Sequence, residues 1–349
     1  MVVNRECAMK KGGDIKFWLG IGISLFFMAL LFRRIDFHQL ATALARVDYR
    51  FILLGVLLTF ASYFLRAVRW RYLLIHEKPV PLSSLYPATI IGYMANNILP
   101  ARLGEFVRAY VLARREGFQT PTVFASLVID RLFDGFTVML MLLVTLFTLR
   151  LPRHMADAGE AVRVGGVVMF LLYAAIVVFL FLLKRQTMRT LAFTGWLLRP
   201  FPQSIPDRVI PLLGSFIAGI RLSKRGGHIA ALLVSSLLIW TCAVLPVDLT
   251  LQGFGIHLPI TASMFIMVLL VFAVMVPASP GFIGTYHYAC FKGLSAFGLD
   301  AATSVSIALV IHGMAFFPVI AAGFYHLWRE GISLQALGDA SRKEPDEIA

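Results

Sequence analysis

Two long apolar stretches, 82–113 and 259–297, are each interrupted near the middle, at 100–104 and at 277–284, by proline, glycine and polar residues. A helix crossing a hydrocarbon core of about 30 Å needs about 20 apolar residues, and irregular backbone at that depth survives only inside protein or against a cavity. Each half of these stretches has about 11–17 residues, the length of a re-entrant half-helix. Pro100 removes a backbone donor, and Gly104 opens the next turn to close approach. The spacing predicts a helix ending near residue 99, an unwound corner, and a second helix starting near Arg102. In the second stretch Pro277, Pro280, Gly281 and Gly284 predict the same construction, with a helix starting near Phe282.

Six uninterrupted apolar runs accompany them, at 17–32 (short), 51–72, 122–149, 162–183, 228–251 and 303–328. The chain is 349 residues long, 59% hydrophobic and only 15% charged. A soluble domain carries roughly 25% charged residues, so the expected fold is an all-α polytopic membrane protein. It would have about six full spans plus two re-entrant broken-helix hairpins. The net charge of +13 comes from short basic flanks between apolar runs, which is the positive-inside pattern and not a nucleic-acid stripe. Cys7, Cys242 and Cys290 form no metal or disulfide pattern, and no cofactor or metal is expected. The N-terminal run lacks a convincing cleavage site and is read as an uncleaved span.

The densest basic block, 184–225, is assigned to the cytoplasm, which puts both termini there and the loop 248–259 outside. The loop 33–50 falls outside despite four arginines and reads as an amphipathic interfacial helix (Phe37, Leu40, Leu44, Val47). Shifting the sequence by 177 positions superposes Phe51 on His228, Pro100 on Pro277, Gly104 on Gly281 and Ser126 on Thr303. The expected organisation is one transmembrane domain over 1–349. It divides into a first repeat at 51–150, a connecting span and cytoplasmic basic loop at 151–227, an inverted second repeat at 228–328, and a cytoplasmic tail at 329–349. Paired, interrupted segments at matching positions of two halves point to a transporter's midplane site.

Polar groups at membrane depth mark function by default, and here they concentrate around the breaks. Both half-helix N-termini would face the midplane and attract an anion, with Arg102 adding a full charge; the alternative is that proline and glycine only allow tight packing. Glu105 and Arg108 sit three apart, as a structural ion pair or as a headgroup gate. Ser126, Asp130, Asp134 and Thr137 recur on one helical face with Arg131 off it. The acids are expected to pair with Arg102 or Arg108 in the interior, the alternative being an interfacial cap. Asn97, Ser279, Tyr286 and His287 complete the set of candidate headgroup ligands, and Pro100, Gly104, Pro277, Pro280, Gly281 and Gly284 the hinges. His287, with His312 as a neighbour, titrates near neutrality or simply hydrogen-bonds. Arg66, Arg69 and Arg71, among aromatics, read as interfacial anchors.

Three motifs in order, N-x-x-P-A-R-x-G-E-x-x-R (97–108), D-R-x-x-D-G (130–135) and P-x-S-P-G-x-x-G (277–284), resemble the flippase-like transmembrane domain of lysylphosphatidylglycerol synthases. The resemblance covers roughly 15–330 and implies movement of a lipid headgroup between leaflets, with Arg102, Glu105, Arg108, Asp130, Arg131 and Asp134 as its residues. Many members continue the last motif with G-V-R-E, whereas this chain has Gly284, Thr285, Tyr286 and His287, which allows a different headgroup. No aminoacyl-transferase domain follows, so lipid aminoacylation is not expected. The expectation is a non-enzymatic translocase of a phospholipid or polyprenyl-type lipid in the bacterial inner membrane, alone, as a homo-oligomer or beside an envelope-biosynthesis enzyme. Two other readings stay open: an accessory or scaffold subunit, and an intramembrane lipid-phosphate enzyme using Asp130 and Asp134 to hold Mg²⁺.

Overall fold

Apolar runs that cannot satisfy their backbone groups in lipid must coil, because only a helix pairs every N–H and C=O within one segment. The computed structural model describes residues 37–74, 78–99, 103–148, 156–200, 202, 204–219, 226–275 and 280–332. Among them every regular element is helical. The first two are α1 (Phe37–Ala45) and α2 (Tyr49–Leu74), followed by the pair α3 (Leu82–Ile98) and α4 (Gly104–Glu116) and the long α5 (Thr120–Thr148). The middle of the chain forms α6 (Ala156–Arg185), α7 (Thr187–Leu197) and α8 (Ser204–Gly219). Then come α9 (Gly226–Gly253), α10 (Ile260–Met275), a 3₁₀ turn (Pro280–Phe282), α11 (Thr285–Ser295) and α12 (Ala301–Glu330).

Four helices among the described residues are long and apolar enough to cross a membrane: Tyr49–Leu74, Gly166–Arg185, Gly226–Gly253 and Ala301–Glu330. The chain is therefore a multi-pass membrane protein with an all-helical fold. The expected span at 17–32, Pro100, Arg102, Pro277, Ser279 and most of the tail at 329–349 lie outside the described residues. The block 184–225, read as a basic loop, is instead largely helical. α8 packs on α5, where Gly219 lies against the Thr122 carbonyl and Ala125, and Ile217 is buried.

α2 and α9 form the most extensive helix pair, and they run antiparallel. The Asp48 N–H donates to the Gly253 carbonyl (3.0 Å), Gly55 lies against Pro246, and Tyr72 meets His228 at the other end. Midway, the Ser62 hydroxyl donates to the Ile239 carbonyl (3.3 Å), and these two residues are 177 positions apart. The same offset carries α2 onto α9, α3 onto α10, α4 onto α11 and α5 onto α12. Packing follows suit: α3 on α4 matches α10 on α11, α4 on α5 matches α11 on α12, and α2 on α5 matches α9 on α12. Even the flanking pieces agree, with α1 on α12 and α8 on α5.

The helices end and restart on either side of both predicted breaks, α3 ending at Ile98 and α4 starting at Gly104, α10 ending at Met275 and α11 starting at Thr285. α3 and α4 fold back on one another at Gly92 and Gly104, with the Gly104 N–H donating to the Asn96 side-chain oxygen (2.8 Å). A β-carbon on Gly104 would overlap the Gly92 carbonyl and Asn96. The second corner instead turns through left-handed backbone, with φ of +75° at Gly281, +56° at Phe282 and +95° at Gly284. Glycine takes such angles freely, whereas Phe282 is strained there.

Gly104→Ala is expected to destabilise the fold by about 1–3 kcal/mol, the usual cost of overpacking. Gly227→Ala, where nothing lies within 4 Å of the added carbon, should be close to neutral. Thermal melting of both variants in detergent checks this, and equal melting temperatures would refute the close-packed corner.

Candidate functional site

The stripe of polar residues on α5 faces inward: Ser126, Asp130, Asp134 and Thr137 are all buried. A carboxylate in such surroundings needs a cation and hydrogen bonds, and most of them come from α2. Arg69, with no exposed surface, donates from Nε to Asp130 (2.8 Å), from Nη2 to Asp134 (2.8 Å) and from Nη1 to Ser236 on α9 (2.9 Å). Arg66, one turn earlier, donates to the other oxygen of Asp134 (2.8 Å), and the Trp240 indole N–H adds a third donor to that carboxylate (3.1 Å). Arg66 and Arg69 are thus centres of the cluster and not interfacial anchors; only Arg71 of the three is exposed. A sequence signal existed: Ser62, Arg66 and Arg69 recur at i, i+4 and i+7 on one face of an apolar helix.

Arg131, off the stripe, nonetheless joins the cluster by reaching sideways. It donates to Asp134 (2.9 Å) and to the Tyr93 hydroxyl on α3 (2.9 Å), and lies 3.2 Å from Glu105 on α4. Glu105 also accepts from the Asn96 amide (2.9 Å). Asn97, the candidate headgroup ligand next to Asn96, is half-buried. Arg108 donates to Asp130 (3.3 Å) and lies with its guanidinium 4.0 Å from the Trp70 ring centroid. Trp70 in turn donates to Ser126 (2.9 Å).

Exposure grades across this cluster. Arg69 and Asp130 have no exposed side-chain surface, while the side chains of Glu105 and Arg131 are 20% and 35% exposed. The rim lies on the side of the first break, beside Tyr93. Among the described residues four guanidinium groups (Arg66, Arg69, Arg108, Arg131) face three carboxylates (Glu105, Asp130, Asp134), leaving one positive charge in excess. Arg108 shows where that excess sits: it is 2% exposed, and among the described residues its Nε and Nη2 have no hydrogen-bond partner. At each helix start expected to hold an anion one N–H is bonded to a side chain, that of Gly104 to Asn96 and that of Gly284 to His287. Chemically, the arrangement is a buried, cation-rich polar site with two spare guanidinium N–H groups and one accessible edge.

The second break carries no charge. Tyr286 stacks on His312 (centroids 4.7 Å apart, 29° between planes), and His312 Nδ1 is 3.2 Å from His287 Nε2. Tyr93, which is bonded to Arg131, packs against Tyr63 on α2 (centroids 4.7 Å apart).

The family model described as the lysylphosphatidylglycerol synthase TM region matches residues 17–323. A UPF0104 membrane protein of Methanothermobacter thermautotrophicus is 25% identical over 331 residues, covering 90% of this chain and 94% of that one. A second UPF0104 membrane protein, from Pyrococcus horikoshii, is 22% identical over 87% of this chain and 93% of its own. The glycosyltransferase AglD of Haloferax volcanii is 24% identical over 94% of this chain but only 56% of its own length. No solved structure matches.

Breaking one member of a buried pair leaves the other uncompensated, at about 3–5 kcal/mol. Arg69→Leu and Asp130→Leu are each expected to destabilise by that amount, and the double variant by less than the sum. Additive losses in a double-mutant cycle of thermal stability would refute the direct coupling.

Proposed function

The chain belongs to the lysylphosphatidylglycerol synthase TM region family, and from that membership and the charge cluster we propose that it is a lipid translocase for an anionic or phosphate-bearing headgroup. One observation carries the reading: among the described residues the buried guanidinium of Arg108 keeps its Nε and Nη2 unpartnered, in a cluster with one excess positive charge. Leaving such groups unmade costs about 1–3 kcal/mol or more each, which a visiting phosphate would repay. Arg108 and Arg131 would hold the phosphate, Glu105 would yield Arg131 to it, and Arg66, Arg69, Asp130 and Asp134 would fix the cluster's geometry. Arg102, Asn97, Ser279 and Tyr286 stay candidates for the headgroup path. No Walker A motif is present in the sequence, and ATP is not part of the proposal.

The architecture we propose is an inverted repeat over 51–150 and 228–328, with about six full spans and two re-entrant hairpins. The antiparallel α2–α9 pair, meeting at equivalent residues Ser62 and Ile239, supports it, as do the matched helix contacts. In the same proposal the protein sits in the inner membrane with both termini in the cytoplasm, and its substrate is a phospholipid or polyprenyl-type lipid. A second reading, favoured by the match to a protein named glycosyltransferase AglD, is a membrane module that serves glycan or lipid biosynthesis without moving lipid itself.

Proteoliposomes containing fluorescent phosphatidylglycerol or phosphatidylcholine separate the two. Protein-dependent movement of the anionic probe to the reducible leaflet is expected, slowed about tenfold or more in Arg108→Gln, a loss of about 1.4 kcal/mol in barrier terms. No movement of either probe with folded, correctly inserted protein would favour the module. Equal rates in wild type and Arg108→Gln would remove the arginine site from the mechanism.

A further inference from the structure

The only imidazoles that face one another among the described residues sit behind the second broken corner, in a hydrogen-bond chain that fixes where every proton lies. The Gly284 N–H, at the head of α11, points to His287 Nδ1 (3.4 Å). That nitrogen must therefore be the bare acceptor, and the neutral ring carries its proton on Nε2. His287 Nε2 lies 3.2 Å from His312 Nδ1 on α12, so His287 donates and His312 accepts. His312 is then protonated on its own Nε2, and the Gly281 backbone carbonyl takes that N–H. The chain starts and ends on the corner itself, running from Gly284 through two rings and back to Gly281.

Such a chain closes only with both rings neutral. One added proton must go to His287 Nδ1 or His312 Nδ1, the only bare ring nitrogens. On His287 it sets N–H against the Gly284 N–H and uncaps the helix. On His312 it sets N–H against the His287 N–H, and relief by tautomer exchange again turns His287 Nδ1 into a donor facing Gly284. Either way the loop across the corner is broken.

The surroundings offer no substitute for it. Tyr286, Cys290 and Lys292 share α11 with His287, α10 carries no ionisable residue, α9 brings Asp248, which is bonded to Gln252 and Ser263, and α3 brings Tyr93, bonded to Arg131. The corner is also strained, with Phe282 held at φ +56° and Gly281 against Phe316. Backbone held in such a conformation relaxes when its restraint is lost. Its neighbour across the interface is α3, which packs on the turn Pro280–Phe282 and carries Tyr93 of the charge cluster.

We propose that the His287–His312 pair is a proton-binding latch: neutral, it clamps the corner at Gly281 and Gly284, and taking up one proton opens it. Coupling of that opening to lipid movement rests on the translocase reading, whereas the latch itself does not.

Hydrogen–deuterium exchange of the full chain in lipid nanodiscs, followed over the segment 281–288, tests the latch. Exchange is compared with that of α9 in the same sample, which divides out the intrinsic pH dependence. Between about pH 8 and about pH 3, a window that reaches well below the ordinary imidazole range, wild-type exchange in this segment is expected to rise about fivefold relative to α9, the worth of one lost helix cap. His287→Asn keeps an acceptor facing Gly284 but cannot take the proton, so its protection should be flat with pH. His312→Asn leaves His287 Nδ1 free to take the proton against the Gly284 N–H and should keep a pH response. A flat wild-type profile would overturn the latch, and so would a response that persists in His287→Asn. Because the readout needs no lipid movement, a negative flip assay leaves this result standing, and a negative result here leaves the arginine site standing.

Discussion

Arg69 is completely buried and shared among Asp130, Asp134 and Ser236, so one guanidinium joins α2, α5 and α9. In a low-dielectric interior each of these charges would be expensive alone, and the cost falls on any arrangement that separates them. The three helices are therefore committed to one mutual geometry. Arg66 and Trp240 complete Asp134, Arg108 leans on Asp130, and Arg131 ties α5 to α3 and α4. The apolar faces of these helices would pack against several alternatives, since lipid and leucine are equally apolar and give little discrimination. The ionic cluster selects among those alternatives.

The charged members of the cluster all come from one half, with Ser236 and Trp240 of the other half bonding to them. At the positions 177 residues after Asp130, Arg131 and Asp134 stand Ile307, Ala308 and Ile311, and after Arg66 and Arg69 stand Ala243 and Pro246. The second half keeps the backbone plan, the broken helix and the antiparallel packing, and spends its polar groups on a histidine pair at the corner instead. In the proposed repeat a charged site on one half answers an uncharged histidine pair on the other. Tyr63 is itself the counterpart of Trp240 under the 177-residue offset, so the same pair of positions faces the acids on one side and the rings on the other.

Much of the fold was legible because membrane depth turns composition into geometry. Run length gave the helices at 49–74, 120–148, 226–253 and 301–330 to within two or three residues, and the prolines and glycines gave both breaks. The helices α7 and α8 were missed because basic residues scattered through 184–225 suggested a solvated loop, while α8 buries Ile217 against α5. At the site, the inward stripe on α5 could be read from its period, yet its partners could not. Arg66 and Arg69 lie among aromatics near a basic loop, which is the composition of an interfacial belt, and only tertiary packing turns their stripe toward α5. Arg131 misled in the opposite way: a long side chain reaches around a helix, so the period of its Cβ does not fix where its guanidinium ends. The bond of the Gly104 N–H to Asn96 depends on α3 folding back on α4, whereas that of the Gly284 N–H to His287 is a local contact three residues apart.

The gradient of exposure decides how such a cluster could work without falling apart. A headgroup entering from the rim meets Arg131 and Glu105, the two partly exposed members, before it meets Arg69 and Asp130, which are sealed. Competition is thus between a phosphate and Glu105 for Arg131, at the edge where water still screens the exchange and the cost of swapping partners is lowest. Arg108 lies next inward with two N–H groups unspent, so the ligand gains bonds there without displacing any. A singly charged phosphate would cancel the cluster's one excess charge, and the core pairs of Arg69 would keep their partners throughout. On the translocase reading, that division of labour separates a rigid ionic frame, which fixes the helices, from a replaceable outer pair, which handles the headgroup. The bistable parts are then the two corners, where backbone, and not charge pairing, has to change.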